Sequence, residues 1–198
     1  MGRRKTYDRD DITDRAMRLF WEQGFHATST RELADAMGVN AFSLYAEFGS
    51  KEGLYQAAIE RYDDLIVNRH FGGLEAVGAS LEDVRQVLDF FGDAGRRAAS
   101  ARGCLMCNTA TERAPTAEAS QVATARFIAR VTGAFCNALG NAAAAGRLEQ
   151  GVAVTQLAAT FTTHLMGVFA LMRAQVDGAI IRAATDEQLA RLDGLSRS

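Results

Sequence analysis

One proline stands among 198 residues, and few turn clusters accompany the 18 glycines, which argues against a many-stranded sandwich or barrel. Three cysteines make no disulfide framework, and an odd number suits a reducing compartment, so a cytoplasmic protein is expected. Neither sign of charge dominates. The 22 Lys and Arg against 24 Asp and Glu leave a net charge of −2, so bulk charge announces no nucleic-acid partner. The basic start MGRRK is followed by no apolar run, so no secretory signal is expected. Catalytic signatures are missing as well: there is no G-x-S-x-G, Walker loop, dinucleotide-binding fingerprint or H-E-x-x-H. Asp89, Asp93 and Glu112 stand without a paired motif, so an enzyme is not expected. His26, His70 and His164 lack ligand spacing, and the C-x-x-C at Cys104 and Cys107 has no second pair. No metal and no cofactor is expected.

What is present is a hydrophobic fraction of 48%, enough for a real core. Its spacing is helical almost throughout. Ile12, Ala16, Leu19 and Phe20 share one face of a helix over 10–23, which Gly24 ends. Ser29 with Glu32 forms a capping box for a second helix, stopped by Gly38. Asn40 caps a third, and Ser50 a fourth that begins at Lys51. In the fourth, Leu54, Ala58, Tyr62 and Leu65 make one stripe, and Phe71-Gly72-Gly73 is read as its end. Ser80 opens a fifth helix with Leu81, Val84, Leu88 and Phe91 inward. A short helix at 104–113 follows, and Pro115 precedes a long one at 117–145 with Ile128, Val131, Phe135 and Leu139 inward. The stretch 151–172 has no Asp, Glu, Lys or Arg and is long enough to span a bilayer. Its threonines and His164 would be costly in lipid, so a helix buried on most sides of a bundle is expected instead, with no membrane partner. Asp177 caps a last helix. The fold class is therefore all-α, about nine helices: an N-terminal three-helix unit over 1–50 and a C-terminal bundle over 51–198.

Two short helices joined by Gly38-Val39-Asn40 have helix-turn-helix spacing, and such a second helix can enter a DNA major groove. The run TSTRELADAMGVNAFSLYAEFGSKEGLY, from Thr28 to Tyr55, resembles the DNA-binding domain of the TetR family of bacterial transcriptional regulators. SLYAEFGSKEGLY is its most specific part, and FWEQGF in the preceding helix also fits. The piece RGCLMCNTATE resembles one branch of that family.

The resemblance implies roles. Ser29, Thr30 and Arg31 start the supporting helix beside a phosphate; Ser43 and Tyr45 touch the DNA backbone; Lys51 binds a phosphate at the next helix start. Ala41 and Phe42 occupy positions that often read bases, where many members carry a basic residue and a glycine. Phe42 can only pack on a thymine methyl or on sugar. Residues 1–51 hold eight Lys/Arg and eight Asp/Glu, so the basic charge is local: Arg3, Arg4, Lys5 and Arg9 in an arm, then Arg31 and Lys51. With Ala41-Phe42 departing from the pattern, a helical interaction module without DNA binding stays open as an alternative.

The bundle is expected to hold a small, mostly apolar effector between helices, lined by Phe91, Cys104, Met106, Cys107, Phe127, Phe161, His164 and Phe169. Cys104, behind Gly103 and beside Arg102, falls at a helix N-terminus that favours thiolate, so electrophile or oxidant sensing is a second reading. The last two helices are expected to pair with their copies in a homodimer. Ala158, Thr162, Gly167 and Ala170 are small enough for close approach, and Leu165, Val168 and Leu171 supply apolar area. The whole reads as a ligand-responsive repressor on a pseudo-palindromic operator, its two heads about 34–36 Å apart.

Overall fold

The computed structural model describes residues 8–94, 97, 101–112 and 117–197, with the side chains of 117–120 also outside that description. The basic arm of Arg3, Arg4 and Lys5, and the turn at Pro115, therefore lie outside the described residues. Those described form nine helices and a single isolated bridge between Leu148 and Ser196.

Side-chain caps start the head. The Asp8 carboxylate accepts the Asp10 N–H at 3.0 Å and opens α1, Arg9–Gln23. Ser29 and Glu32 form the reciprocal capping box of α2, Thr30–Met37, with Oγ and carboxylate accepting at 3.2 and 2.7 Å. Asn40 accepts the Ser43 N–H at 2.7 Å at the start of α3, Ala41–Phe48. Ser50 does the same for Gly53 at 3.2 Å, opening α4 at Lys51. Behind these starts sits an aromatic centre. Tyr55 of α4 meets the rings of Phe20 and Phe25, each with centroids 4.9 Å away, and Leu33, Leu44 and Leu54 close around them, fully buried. The head's core is thus completed by α4, beyond the expected boundary at residue 50.

α4 does not stop at Gly72-Gly73. It runs from Lys51–Tyr62 through a π-helical turn, Asp63–Val67, into Asn68–Glu75. The π turn inserts an extra residue and rotates everything after it. Leu65, expected inward, is therefore 40% exposed, and the buried stripe resumes at Val67, Phe71 and Leu74. That second half packs on the long helix α7, Ala117–Ala144. Arg130 of α7 locks the contact: its guanidinium meets Glu75 at 2.6 and 2.8 Å and Asp63 at 3.1 Å, on either side of the rotated segment. Ile128, also expected inward, is 40% exposed.

The rest of the bundle is α5, Leu81–Gly92; α6, Leu105–Thr111; α8, Val154–Arg173; and α9, Gly178–Leu195. α8 is long and apolar enough to cross a membrane by length and composition, yet only one face is buried, 39% of its most apolar window. The expectation of burial on most sides is corrected: Leu157, Ala158, Phe161, Thr162, Leu165, Val168, Phe169 and Met172 face the core, while Ala159, Thr163, Gly167 and Ala170 are exposed. Phe161 is fully buried, its ring centroid 5.7 Å from that of Phe135 on α7. Phe161→Ala is expected to cost about 3–5 kcal/mol, read as a lower urea midpoint, because the gap cannot collapse between two long helices.

Candidate nucleic-acid interface and effector cavity

The outer face of α2 and α3 carries most of the residues expected at DNA. Phe42, one position inside α3, is 85% exposed, whereas Leu44 two residues on is fully buried. Ala41, Ser43 and Tyr45 are half-buried beside it. The Tyr45 hydroxyl is hydrogen-bonded with Thr30 Oγ1, which ties α3 to the first turn of α2. Ser29 is committed to its cap. Arg31 extends 92% exposed, with only a loose pair to Asp35 at 3.8 Å. Such an exposed pair holds little energy and yields readily to a phosphate. Lys51 at the start of α4 sits with Nζ 4.3 Å above the Phe25 ring. Burial pushes its pKa down, against the pull of Glu52, Glu112 and Glu32. Arg9 is corrected from an arm residue to part of the head: it pairs with Glu47 at 3.4 Å and lies over Phe48.

A cavity of about 310 Å³ opens between head and bundle. Phe91, Cys104, Phe127 and Phe169 line it, together with Trp21, Tyr62, Phe71, Phe90, Met172 and the cations Arg69, Arg97 and Arg102, none of which the sequence singled out as lining. Four expected lining residues are elsewhere. Met106 and Phe161 are core, 1% and 0% exposed. Cys107 faces a neighbouring groove with Met166 and Ile128, its sulfur 3.3 Å from Met166 Sδ. His164 lines the outer groove between α8 and α9 and turns its Nε2 inward, 3.0 Å from the buried Thr185 Oγ1, and burial lowers its pKa.

Cys104 is the N-cap of α6 and is buried. Burial pushes its thiol up. Hydrogen bonding with Cys107, with Tyr62 and with the N–H groups of Cys107 and Met106 outweighs this and holds it below the ordinary thiol value. Among the described residues no group of three or more His, Cys, Asp or Glu is placed to hold a metal.

α6 also joins the cavity to the head. Trp21 Nε1 donates to the Gly103 carbonyl at 3.1 Å, and Arg102 stacks on the Trp21 ring. The Tyr55 hydroxyl meets Thr109 Oγ1 at 2.6 Å; burial raises its pKa to about 12. At the far end, the Glu112 carboxylate accepts the Phe25 N–H at 2.8 Å. Gly24 is required there: its φ is +88°, and a Cβ would lie 2.0 Å from Glu112 Oε1.

The dimer expectation needs correcting residue by residue. Ala158, Thr162 and Leu165 are buried inside the protomer, so they have no surface left for a partner, and Val168, 2% exposed, is only the floor of the outer groove beside Gly167 and Leu171. Gly167 and Ala170 are exposed and Leu171 half-buried, on the same face as Ala159 and Thr163. Ile180 of α9 adds a 55% exposed apolar side chain, and Gln188 Oε1 is buried without a hydrogen-bond partner among the described residues.

A short helix-turn-helix head carried on a larger helical bundle with an internal cavity is the architecture of a one-chain bacterial regulator. Comparison with known proteins specifies it. The family model described as bacterial regulatory proteins, tetR family, matches residues 12–58, and that described as tetracyclin repressor-like, C-terminal domain, matches residues 80–187. The chain belongs to the TetR family. It is 39% identical over 117 residues to the HTH-type transcriptional repressor ComR of Escherichia coli (strain K12), covering 58% of this chain and 55% of the relative. It is 33% identical over 112 residues to the HTH-type transcriptional repressor BdcR of the same strain, covering 54% and 52%. The matches thus span about half the length of these curated relatives, which are transcriptional regulators rather than enzymes. Among solved structures, a cysteine mutant of the TetR family regulator CifR complexed with a 26bp operator DNA superposes with a TM-score of 0.84 at 28% identity, covering 95% of this chain and 98% of that one.

The bond between Thr30 and Tyr45 can be tested within the head. Thr30→Val and Tyr45→Phe are each expected to lower stability by about 1 kcal/mol in urea unfolding. The double variant should lose no more than either alone, since both remove one bond.

Proposed function

We propose that this protein is a DNA-binding transcriptional repressor, acting as a homodimer that a small effector releases from a pseudo-palindromic operator. The observation that carries the reading is the first turn of α3. There Phe42 is 85% exposed on a helix whose opposite side is anchored by a fully buried Leu44. The exposed ring, fixed in position by its buried neighbour, presents apolar area that a thymine methyl or a sugar can cover. The groups around it, a capped α2 start, Thr30 with Tyr45, the loosely held Arg31 and Lys51, suit a DNA backbone. The operator complex of CifR and the repressor names of ComR and BdcR support the same reading. The head spans 1–50 with α4 as shared element, and the bundle the rest. Cytoplasmic location follows from the function.

The dimer would form on the exposed face of α8 and α9. Gly167, Ala170 and Leu171 remain from the expected set, joined by Ala159, Thr163 and Ile180. A second copy there would also offer Gln188 Oε1 a donor.

The effector would act through α6. A ligand against Gly103 and Cys104 shifts the helix that carries Thr109 and Glu112, and with it Tyr55, Phe25 and Lys51. To weaken DNA binding ~100-fold, it must favour the released form by about 2.7 kcal/mol.

Selection of bound sequences from random duplex DNA at near-physiological salt tests the reading. A palindromic site is expected; recovery of salt-sensitive, sequence-independent binding alone would replace the regulator with an interaction module. On the selected site, Lys51→Ala is expected to weaken binding to all sequences about equally. It should also lower the salt slope by about one for each phosphate no longer neutralised. An unchanged slope removes Lys51 from the phosphate-binding set.

A second reading has its own observation: Cys104 lies on the cavity wall with its thiol pulled down by four hydrogen-bonding groups. In that reading an electrophile alkylates the sulfur and the bulk shifts α6. Cys104→Ser should then keep operator affinity and lose release by a mild electrophile. Release undiminished in Cys104→Ser ends the thiol reading.

A further inference from the structure

The effector cavity has a charge as well as a shape. Arg69, Arg97 and Arg102 line it with His70, and among the described residues no Asp or Glu does. None of the three arginines makes an ion pair among the described residues. Elsewhere in the chain Arg61, Arg130 and Arg182 each hold a carboxylate at 3.1 Å or less. The acidic side chain on an adjoining wall is Asp83, in the groove that shares Arg69 and His70.

Two of these cations are held by aromatic faces. The Arg97 guanidinium lies 4.2 Å from the centre of the Phe90 ring and donates to the Phe90 carbonyl, and Arg102 lies 4.7 Å from the centre of the Trp21 ring. Stacking satisfies the flat faces of a guanidinium and leaves donors at its edge for a planar acid. His70 senses the same field. Burial lowers its pKa first, and the positive charges of Arg69 and Arg97 lower it further. The inner wall, by contrast, is rings: Phe91 and Phe169 meet edge to face at 4.9 Å, with Phe71 and Phe127 beside them.

We propose that the effector is a small aromatic acid, a mono- or bicyclic ring bearing a carboxylate, with the ring among the inner phenylalanines and the carboxylate at Arg69, Arg97 and Arg102. A cavity of about 310 Å³ is at the lower end of small-molecule sites and suits such a compact ligand. An aromatic amine of the same shape would meet three like charges. A neutral amide would leave those charges unanswered while being desolvated itself. The proposal rests on the effector-cavity reading above and adds the chemical class.

The test uses the full chain, with phenylacetate and 1-naphthylacetate as probes against their amides and the matching ammonium compounds. Calorimetry gives affinities. In the phenyl series, fluorescence of Trp21, the only tryptophan, locates binding. Each acid is expected to bind at least tenfold tighter than its amide, and the ammonium weakest. In an Arg97→Gln, Arg102→Gln variant the preference should fall below threefold while amide affinity stays unchanged, which also shows the cavity intact. Equal binding of acid and amide, a preference that survives in the variant, or no acid binding at millimolar concentration each overturns the proposal. Operator release is scored separately. If amides release DNA and acids do not, the regulator reading stands and the acid class falls. If acids bind with the expected preference yet leave operator affinity unchanged, the acid site stands and its effector role falls.

Discussion

The link between Glu112 and the backbone of Phe25 is the interaction on which the two halves of the molecule depend. A carboxylate at the end of α6 accepts a main-chain N–H of the head at 2.8 Å, and Gly24 lacks the side chain that would forbid the approach. The other joints are hydrogen bonds of the same family: Tyr55 with Thr109, Trp21 with Gly103, and Arg173 Nη1 donating to the Glu22 carbonyl at 2.8 Å. All converge on the C-terminal end of α1 and on α4. Polar joints of this kind are directional, so a small displacement of α6 changes the head's aim more than an apolar contact of equal strength would. Gly103 tightens the other end. Its φ is +63°, and a Cβ would lie 2.8 Å from the Phe169 carbonyl, which lets α6 start directly against α8.

The π turn in α4 explains why a cavity lies beside this joint at all. Before the turn, Leu54, Tyr55, Ala58 and Ile59 are inward and build the head. After it, the rotation brings Val67, Phe71 and Leu74 to the bundle and leaves Ile66, Arg69 and His70 along the cavity wall. One helix therefore serves two cores that face different ways. The irregular hydrogen bonding costs some backbone stability, which the Arg130 bridge across Asp63 and Glu75 offsets.

Much of the head was legible because its signals are local. Ser29 with Glu32, Asn40 and Ser50 each cap within three residues, so sequence alone placed α2, α3 and α4 to within a residue at their starts. The same locality hid other things. A π turn leaves no periodicity of its own, so Leu65 read as core and Gly72-Gly73 as a stop. Packing against α7 carries the helix through both glycines. On α8 both faces are apolar or small, so periodicity could not say which is inward; Ala158, Thr162, Leu165 and Val168 proved to be the inner stripe. The cavity cations escaped notice for a third reason. Arg69, Arg97 and Arg102 come from segments that meet only in three dimensions, and no spacing rule joins them.

The absence of Asp, Glu, Lys and Arg over 154–172 is the mark of a helix with no face reserved for water. One face of α8 is satisfied inside the chain by α7, through Phe161 on Phe135 and Thr162 Oγ1 with Thr132 Oγ1 at 3.1 Å. The other, at Ala159, Thr163, Gly167 and Ala170, is exposed in the single chain but has little use for water: three of these side chains carry no polar atom, and His164 beside them bonds inward to Thr185. A single sequence constraint thus serves two faces, an internal one of interlocking rings and an external one shallow enough for a second helix to approach closely. The small residues keep the external face shallow, where larger apolar ones would fill it. Filling that groove from within would bury more area in the protomer and close the shallow surface that small side chains leave open between α8 and α9.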